Sequence, residues 1–225
     1  MGKEVLITGA STGIGAATAR ALAANNRVFI HYNASKAEAE SVAKEVEAAG
    51  GEAVTIQADL TSEAGCQKLF DAVTAKSDRL DIVVNNAGGL VKRLSIAEID
   101  WKTMEHVFAL NAFSLIKVSS LAVPLLKKAD EPVIVNVSSI VARHGAAGAT
   151  LYGASKGAVD VFTRGMAKEL SPHIRVCAVA PGVIETPFHD KVSTPEQLEN
   201  WRKNAPLQKN GTADDIAHTI KYIVE

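Results

Sequence analysis

The chain has 225 residues, long enough for one sizeable core, and 47% of them are apolar while 22% are charged, which is the ordinary mix of a globular protein. The formal net charge is −1, so the composition gives no support for binding to nucleic acid or to an anionic membrane. Two cysteines do not make the disulfide framework of a secreted domain. The start has no signal-peptide layout, and the apolar runs fall short of the roughly 20 residues that cross a bilayer. We therefore expect a soluble, cytoplasmic protein without a membrane span.

Six short apolar runs alternate along the chain with longer, Ala-rich stretches of helical period. The runs predicted as strands are residues 4–8, 27–31, 53–58, 81–85, 133–138 and 175–180. The stretches predicted as helices are residues 14–25, 36–49, 63–76, 100–127, 152–170 and 213–224. Nearly continuous apolar runs are typical of parallel strands that are covered on both faces. Their alternation with helices predicts an α/β fold in a single domain, residues 1–225, with a Rossmann-type, doubly wound parallel sheet and helices on both faces.

Residues 182–211 form the one long stretch without strong periodicity. The stretch carries Pro187, Pro195 and Pro206 together with several large apolar side chains. A segment of this length without elements of its own is usually a functional lid or disordered. We therefore predict a substrate lid at about residues 182–211.

A glycine-rich sequence, Thr8-Gly9-Ala10-Ser11-Thr12-Gly13-Ile14-Gly15, joins the first predicted strand to the first helix. In doubly wound sheets, ligands bind beyond the carboxyl ends of the strands. Glycines there let the backbone approach a pyrophosphate, and a helix N-terminus supplies free N–H groups. The spacing differs from the general G-x-G-x-x-G pattern, and a plain glycine-rich turn is the alternative. Its place at the first strand–helix junction favours a dinucleotide site.

Two polar residues share one face of a predicted helix, because Tyr152 and Lys156 are separated by four positions. Ser139 follows the fifth predicted strand, 13 residues before Tyr152. Together with the glycine pattern and Asn85-Asn86-Ala87-Gly88, this arrangement resembles the short-chain dehydrogenase/reductase family, and within it the 3-oxoacyl-carrier-protein reductases. The resemblance runs from about Lys3 to the end of the chain.

The resemblance implies a catalytic tetrad of Asn111, Ser139, Tyr152 and Lys156. It also implies contacts with a nicotinamide dinucleotide at four places: the pyrophosphate, the adenine, the wall beside the adenosine ribose, and the nicotinamide. The residues expected at the pyrophosphate are Gly9, Ser11, Thr12, Gly13, Ile14 and Gly15, and those expected at the adenine are Asp59 and Leu60. The wall beside the adenosine ribose would consist of Asn86, Ala87 and Gly88. The nicotinamide end would be bound by Pro181, Gly182, Ile184 and Thr186, together with Tyr152 and Lys156.

The chemistry of these side chains suits the reduction of a carbonyl group, which needs a hydride from the cofactor and a proton for the developing alkoxide. A nearby cation lowers a tyrosine pKa from its usual value of about 10, and Lys156 can supply that cation. Ser139 can donate a hydrogen bond to the substrate oxygen. Ser138 is excluded because neighbouring side chains of a strand point to opposite faces. In the family, the residue at Asn111 holds a water that links the lysine to solvent; an ordinary mid-helix polar residue is the alternative.

The sequence after the second predicted strand, Tyr32-Asn33-Ala34-Ser35-Lys36, indicates which cofactor is used. NAD-dependent sites usually place a carboxylate there to bind the ribose 2′-hydroxyl, and Tyr32 stands at that position. Asn33 and Ser35 can donate to phosphate oxygens, and Lys36 can offer charge. Although Thr12 stands where many NADP-dependent relatives carry Arg or Lys, NADP(H) is favoured over NAD(H).

The predicted reaction is reduction of a ketone, of 3-oxoacyl type or another small carbonyl compound, or the reverse oxidation. Docking of a carrier protein is disfavoured because Asp130-Glu131 and His173 stand where that group carries basic residues. A sugar or steroid alcohol dehydrogenase is the alternative. A non-catalytic nucleotide sensor or scaffold is a further one, opposed by the complete tetrad. Arg93 and Arg143 could meet an anionic substrate group, but solvated surface is the favoured interpretation of both. The scattered histidines show no metal-ligand spacing.

The long helices are predicted to form a homodimer or tetramer, because the family pairs them across a two-fold axis. Residues 111–127 and 152–170 would form the interface, with Phe113, Leu121, Val161 and Phe162 as apolar candidates. The chain stops at Glu225, before the last strand that the family usually has, so the sheet is expected to lack that strand.

Overall fold

A six-stranded parallel sheet organises the computed structural model, which describes residues 2–190 and 192–225. The strands lie in the order β3-β2-β1-β4-β5-β6, and all adjacent pairs are parallel. Their bounds are β1 Glu4–Ile7, β2 Arg27–Tyr32, β3 Glu52–Gln57, β4 Ile82–Asn85, β5 Val133–Val137 and β6 Arg175–Val179. The predicted α/β fold, its six strands and their parallel order are confirmed.

Helices cover both faces of the sheet, as predicted. They are α1 Gly13–Ala21, α2 Lys36–Ala48, α3 Glu63–Thr74, α4 Trp101–Phe108, α5 Ser114–Leu126, α6 Val141–His144, α7 Thr150–Glu169, α8 Pro195–Asn204 and α9 Ala213–Val224. Helices α1, α2 and α9 pack on one face, while α3, α5 and α7 pack on the other. Strand β1 shows the division, because Val5 and Ile7 join the first core and Leu6 joins the second.

The longest helical segment runs without a break from Trp101 to Leu126 and contains a π-helical turn, Ala109–Phe113, between α4 and α5. By length and composition alone this segment could cross a membrane. Half of its most apolar window is buried inside the protein, however, and Val118 and Ala122 pack against the sheet. Burial of this kind is typical of the core helix of a globular protein.

The segment at residues 182–211 contains more regular structure than its sequence pattern indicated. It holds the short strands β7 Ile184–Glu185 and β8 Gly211–Thr212, a 3₁₀ turn at Pro187–His189, and the helix α8. Helix α8 begins with a capping box, in which Thr194 and Gln197 exchange hydrogen bonds, and with Pro195 in its first turn. None of its residues is buried, so no apolar period marks it in the sequence.

Candidate active site

A cavity of about 680 Å³ opens at the carboxyl ends of the strands, which is where ligands of doubly wound sheets bind and which has the size of a small-molecule site. Its wall includes residues from the loops after β1, β2, β3, β4, β5 and β6. The glycine-rich loop lines one part, and Ser139, Tyr152 and Lys156 line another. One cavity therefore joins two groups of residues that are far apart in sequence.

The glycine-rich loop has the backbone conformation that its glycines allow. Gly9 and Gly13 have φ values of +62° and +55°, in the left-handed region that favours glycine. A Cβ atom on Gly15 would lie 2.2 Å from the carbonyl oxygen of Gly9. Thr12, the residue before α1, makes no capping hydrogen bond with its side chain, which leaves the N-terminal N–H groups of the helix available for an anion. The loop thus fits a pyrophosphate.

His31, which the sequence analysis did not select, supports this loop from below. Its Nδ1 accepts a hydrogen bond from the Gly9 N–H at 3.0 Å, and its Nε2 lies 3.1 Å from the carbonyl oxygen of Ala58. These partners require a neutral ring with its proton on Nε2. Burial lowers the pKa of His31 to about 4, so the ring keeps this form at neutral pH.

Asn86 connects the ends of β1 and β4. Its Nδ2 donates to the carbonyl oxygens of Thr8 and Gly9 at 3.0 and 2.9 Å. In return, the Thr8 hydroxyl accepts hydrogen bonds from the backbone N–H groups of Asn86 and Ala87. Asn86 therefore holds the glycine-rich loop in place. Asn86, Ala87 and Gly88 all line the cavity, and their place beside a ribose stays a prediction.

Asp59 and Leu60 line the same cavity after β3. The Oδ1 atom of Asp59 accepts hydrogen bonds from the backbone N–H and the hydroxyl of Thr61, at 3.0 and 2.7 Å. These two bonds lower the pKa of the Asp59 carboxyl group. A carboxylate held in this way by one oxygen can accept a hydrogen bond from an adenine amino group with the other.

The loop after β2 places only some of the residues predicted for the adenosine end on the cavity wall. Asn33, Ala34 and Ser35 line the cavity. Tyr32 does not, because its side chain is buried in the core beside Ile30. Lys36 does not either; its exposed Nζ lies 3.6 Å from Glu40 in a surface ion pair.

Lys156 is buried at the centre of the predicted catalytic group. Its Nζ donates to the carbonyl oxygen of Val137 at 2.7 Å and lies 5.8 Å from the centre of the Tyr152 ring. Burial lowers the pKa of Lys156 to about 8, while the negative charge of Asp160 opposes that change. Burial also raises the pKa of Tyr152 to about 12, and the Ser139 hydroxyl opposes that rise. The net change is opposite to the lowering by the Lys156 cation that the sequence indicated, because burial of the phenol outweighs the other contributions.

Asn111 lies in the π-helical turn, behind the cavity wall rather than on it. Its Oδ1 accepts from the Gly89 N–H, and its Nδ2 donates to the carbonyl oxygens of Gly89 and Val107, each at 2.9 Å. A Cβ on Gly88 would lie 2.8 Å from Asn111 Oδ1 and 3.3 Å from Lys156 Nζ. Gly88 therefore separates the two side chains and leaves no room for a larger residue.

Ser138 and Ser139 differ in the direction of their side chains. The Ser138 hydroxyl donates to Asp160 on α7 at 2.5 Å. The Ser139 hydroxyl accepts from the Val141 N–H at 3.3 Å and acts on the pKa of Tyr152. Ser139 is therefore the serine whose hydroxyl interacts with Tyr152.

The segment after β6 closes the opposite end of the cavity. The residues that line it there include Pro181, Gly182, Ile184 and Thr186; their contact with a nicotinamide stays a prediction. Arg93 also lines the cavity and is half-buried, so its interpretation as solvated surface is wrong, whereas Arg143 is exposed as expected. The side chains of Arg93, Phe188, His189 and Trp201 were not selected as site residues, and no local sequence pattern marks them.

Comparison with known proteins agrees with this geometry. The family model for short chain dehydrogenase matches residues 3–197. The chain is 36% identical to the 3-oxoacyl-[acyl-carrier-protein] reductase FabG of Thermotoga maritima over 99% of this chain and 90% of that one. It is 32% identical to the 7alpha-hydroxysteroid dehydrogenase of Escherichia coli over 99% and 87% of the two chains.

Solved structures share the whole fold. The NADH-dependent reductase A1-R′ responsible for alginate metabolism superposes with a TM-score of 0.90 at 30% identity, covering 100% of this chain and 89% of that one. The angucycline C-6 ketoreductase LanV with bound NADP gives a TM-score of 0.90 at 28% identity, covering 99% and 88%. The chain belongs to the short-chain dehydrogenase/reductase family of oxidoreductases.

Proposed function

We propose that this protein interconverts a ketone and a secondary alcohol, with Tyr152 as the general acid and base. The observation that carries the proposal is that Ser139, Tyr152 and Lys156 line the same cavity as the glycine-rich loop. The nicotinamide of the cofactor, when bound, supplies or accepts a hydride. The protein residues then have to orient the carbonyl group and move one proton.

In the direction of reduction, Tyr152 gives its hydroxyl proton to the developing alkoxide. A pKa raised to about 12 by burial keeps that hydroxyl protonated at neutral pH, as a proton donor requires. The Ser139 hydroxyl donates to the same substrate oxygen, where negative charge grows. The Lys156 ammonium, 5.8 Å from the Tyr152 ring centre, stabilises the phenolate that remains and so favours proton release. Asn111 positions the backbone beside Lys156 and, by the family resemblance, the water that returns the proton.

Replacing one tyrosine tests the proposal. Tyr152→Phe deletes only the ionisable hydroxyl, so kcat should fall by about 10²–10⁴-fold, the usual contribution of general acid catalysis. Cofactor affinity should stay nearly unchanged. Tyr222→Phe is the matched control, because Tyr222 is 84% exposed and should keep full activity. Turnover of a panel of ketones is followed by nicotinamide absorbance, and a Tyr152→Phe enzyme with more than about a tenth of the parent kcat would contradict the assignment.

We propose NADP(H) as the preferred cofactor. Asn33 and Ser35 are donors on the cavity wall, and residues 27–36 contain no carboxylate that would repel a 2′-phosphate. Lys36 has to leave Glu40 to reach a phosphate, and an exposed ion pair of this kind contributes only about 0–1 kcal/mol. The structural relatives include both the ketoreductase LanV with bound NADP and an NADH-dependent reductase, so the proposal rests on the residues of this loop.

We propose that the substrate is a small carbonyl compound, of 3-oxoacyl type or similar size, that is not attached to a carrier protein. We also propose that the enzyme is cytoplasmic. Asp130, Glu131 and His173 lie at the amino ends of β5 and β6, and the negative charges of Asp130 and Glu131 do not suit an acidic carrier protein. Oxidation of a sugar or steroid alcohol would use the same residues, and the 7alpha-hydroxysteroid dehydrogenase relative keeps that substrate class in the assay panel.

We also propose that two or four copies associate through α5 and α7. Phe113, at the end of the π-helical turn before α5, and Val161 on α7 are 58% and 62% exposed, and exposed apolar surface of this kind can mark a contact with another chain. Leu121 and Phe162 instead pack against the core. The apolar surface available for association is therefore narrower than the sequence pattern indicated.

A further inference from the structure

Arg93 is a half-buried cation whose orientation is fixed by the lid segment. Its Nε donates to the carbonyl oxygen of Val192 at 2.6 Å, and one Nη lies 3.4 Å from the Ser193 hydroxyl. The guanidinium carbon lies 5.3 Å from the centre of the Trp201 ring. The other Nη makes no hydrogen bond within residues 2–190 and 192–225, and Arg93 lines the cavity.

The charge of Arg93 is not balanced by the protein. Arg27 pairs with Glu4 and Arg79 pairs with Asp81, whereas Arg93 forms no ion pair with any carboxylate in the part of the chain that the structure describes. Burial lowers the pKa of the Arg93 guanidinium, although arginine remains charged at neutral pH. A partly desolvated cation without a counter-ion gains most from an anionic ligand.

A continuous aromatic wall connects this cation to the proton donor. The Tyr152 ring centre lies 6.0 Å from that of Phe188, which lies 5.1 Å from His189. His189 lies 6.0 Å from Trp201, the ring beneath Arg93. All five residues line one cavity, so the proton donor and the cation face the same space.

We propose that Arg93 binds the carboxylate of the substrate, which makes the substrate class oxo acids or the corresponding hydroxy acids. A planar guanidinium with free N–H groups matches a carboxylate, and the cation–π contact with Trp201 together with the hydrogen bond to Val192 restrains its position. His189 offers its Nε2 beside this site, since its Nδ1 bonds to the Ser193 hydroxyl at 2.9 Å. The inference rests on the proposed ketone–alcohol function and adds the group that selects the substrate.

Matched acids and esters test the inference. The probes are pyruvate, acetoacetate and levulinate, which place the carbonyl at increasing distance from the carboxylate, each paired with its methyl ester. Acetoacetyl-coenzyme A tests whether a phosphate-bearing thioester takes the same place. The variants are Arg93→Gln, which keeps hydrogen-bond donors without charge, and Arg93→Lys, which keeps charge without the planar fork. Arg143→Gln, an exposed arginine that does not line the cavity, is the matched control.

We expect the parent enzyme to prefer one acid over its ester. Arg93→Gln should lower kcat/KM for that acid by about tenfold or more, mainly through KM, because a charge-assisted hydrogen bond is lost. The ester should change by less than about threefold. Arg93→Lys should retain part of the preference, and Arg143→Gln should retain all of it.

Two activity results would overturn the inference. Equal losses on acid and ester would mean that Arg93 only fastens the lid segment through Val192 and Ser193. A preference for the thioester that Arg93→Gln abolishes would assign the cation to a phosphate. If no probe is turned over, the proposed function fails for these compounds, and calorimetry with NADPH-saturated enzyme still decides the role of Arg93. Weaker binding of all three acids by Arg93→Gln than by the parent would support carboxylate recognition. Equal binding by the variant and the parent, or no detectable binding by the parent, would refute it.

Discussion

The burial of Lys156 should make the catalytic centre a source of instability. Replacing this residue by methionine removes the charge and shortens the unbranched side chain by one atom. The pKa of Lys156 is lowered from 10.5 to about 8 by burial, and one pKa unit corresponds to about 1.4 kcal/mol. The charged form is therefore disfavoured by about 3 kcal/mol in the folded protein. The variant also loses the hydrogen bond to Val137, which costs about 1 kcal/mol.

The sign of the effect should depend on pH. Below pH 8 the folded and unfolded proteins both carry the charged lysine, so Lys156→Met should raise the free energy of unfolding by about 2 kcal/mol. Between pH 8 and 10.5 the unfolded chain binds more protons than the folded one, and the parent gains stability as the pH rises. Near pH 10.5 only the lost hydrogen bond should remain, and the variant should be less stable by about 1 kcal/mol.

Urea unfolding at pH 7, 8.5 and 10 measures this difference. Lys168→Met is the control, because Lys168 is exposed on the same helix and should change stability by less than about 0.5 kcal/mol at every pH. Lys156→Met should also lose turnover. A variant that is less stable than the parent at pH 7, or a difference that stays constant with pH, would refute the reasoning.

Three further predictions concern the cofactor, the lid and the subunit contact. Lys36→Ala should lower kcat/KM for NADPH and leave kcat/KM for NADH nearly unchanged. Lys44→Ala, on the same helix, should change neither value. A parent enzyme that prefers NADH by about tenfold, or 1.4 kcal/mol, would reject the NADP assignment. Residues 182–211 should gain hydrogen-exchange protection when cofactor and a substrate analogue are added, since closure excludes water from hydride transfer, and unchanged protection would reject a lid. Val161→Glu should yield monomers in light scattering because it places a charge in the subunit contact. Leu207→Glu, at another exposed apolar position, should leave the oligomer intact. A parent protein that is already monomeric at micromolar concentration would refute the proposed association.

The sheet could be predicted because buried parallel strands leave a signal in every residue. Strands β4 and β5 are buried at each position, and such strands are continuous apolar runs in any sequence. Helix α8 was missed for the opposite reason, since none of its residues is buried. Its capping box at Thr194 and Gln197 was the available signal, and an amphipathic period alone could not find it.

The site could be predicted where its residues follow local rules. The glycines of the first loop and the four-residue spacing of Tyr152 and Lys156 depend on nearby backbone only. Tyr32 was selected by its position along the loop, whereas alternation along β2 puts it on the core face with Ile30 and leaves His31 facing Gly9.

Long-range partners explain the residues that could not be found. The Nδ1 of His31 bonds to a residue 22 positions earlier. Arg93 bonds to residues 99 and 100 positions later. Nothing in the local sequence records either contact, and a half-buried arginine has the same sequence appearance as a solvated one.

The π-helical turn at Ala109–Phe113 divides the long helical segment into two parts with different rotational phase. Such a turn corresponds to one residue inserted into an α-helix, and each residue of an α-helix turns the following chain by about 100°. Deleting one residue of the turn would remove the turn and leave a regular α-helix, in which α5 keeps Val118 and Ala122 in the core. The same change would turn Asn111 away from the backbone of Gly89. The extra residue of the turn therefore serves the position of Asn111 rather than the packing of α5.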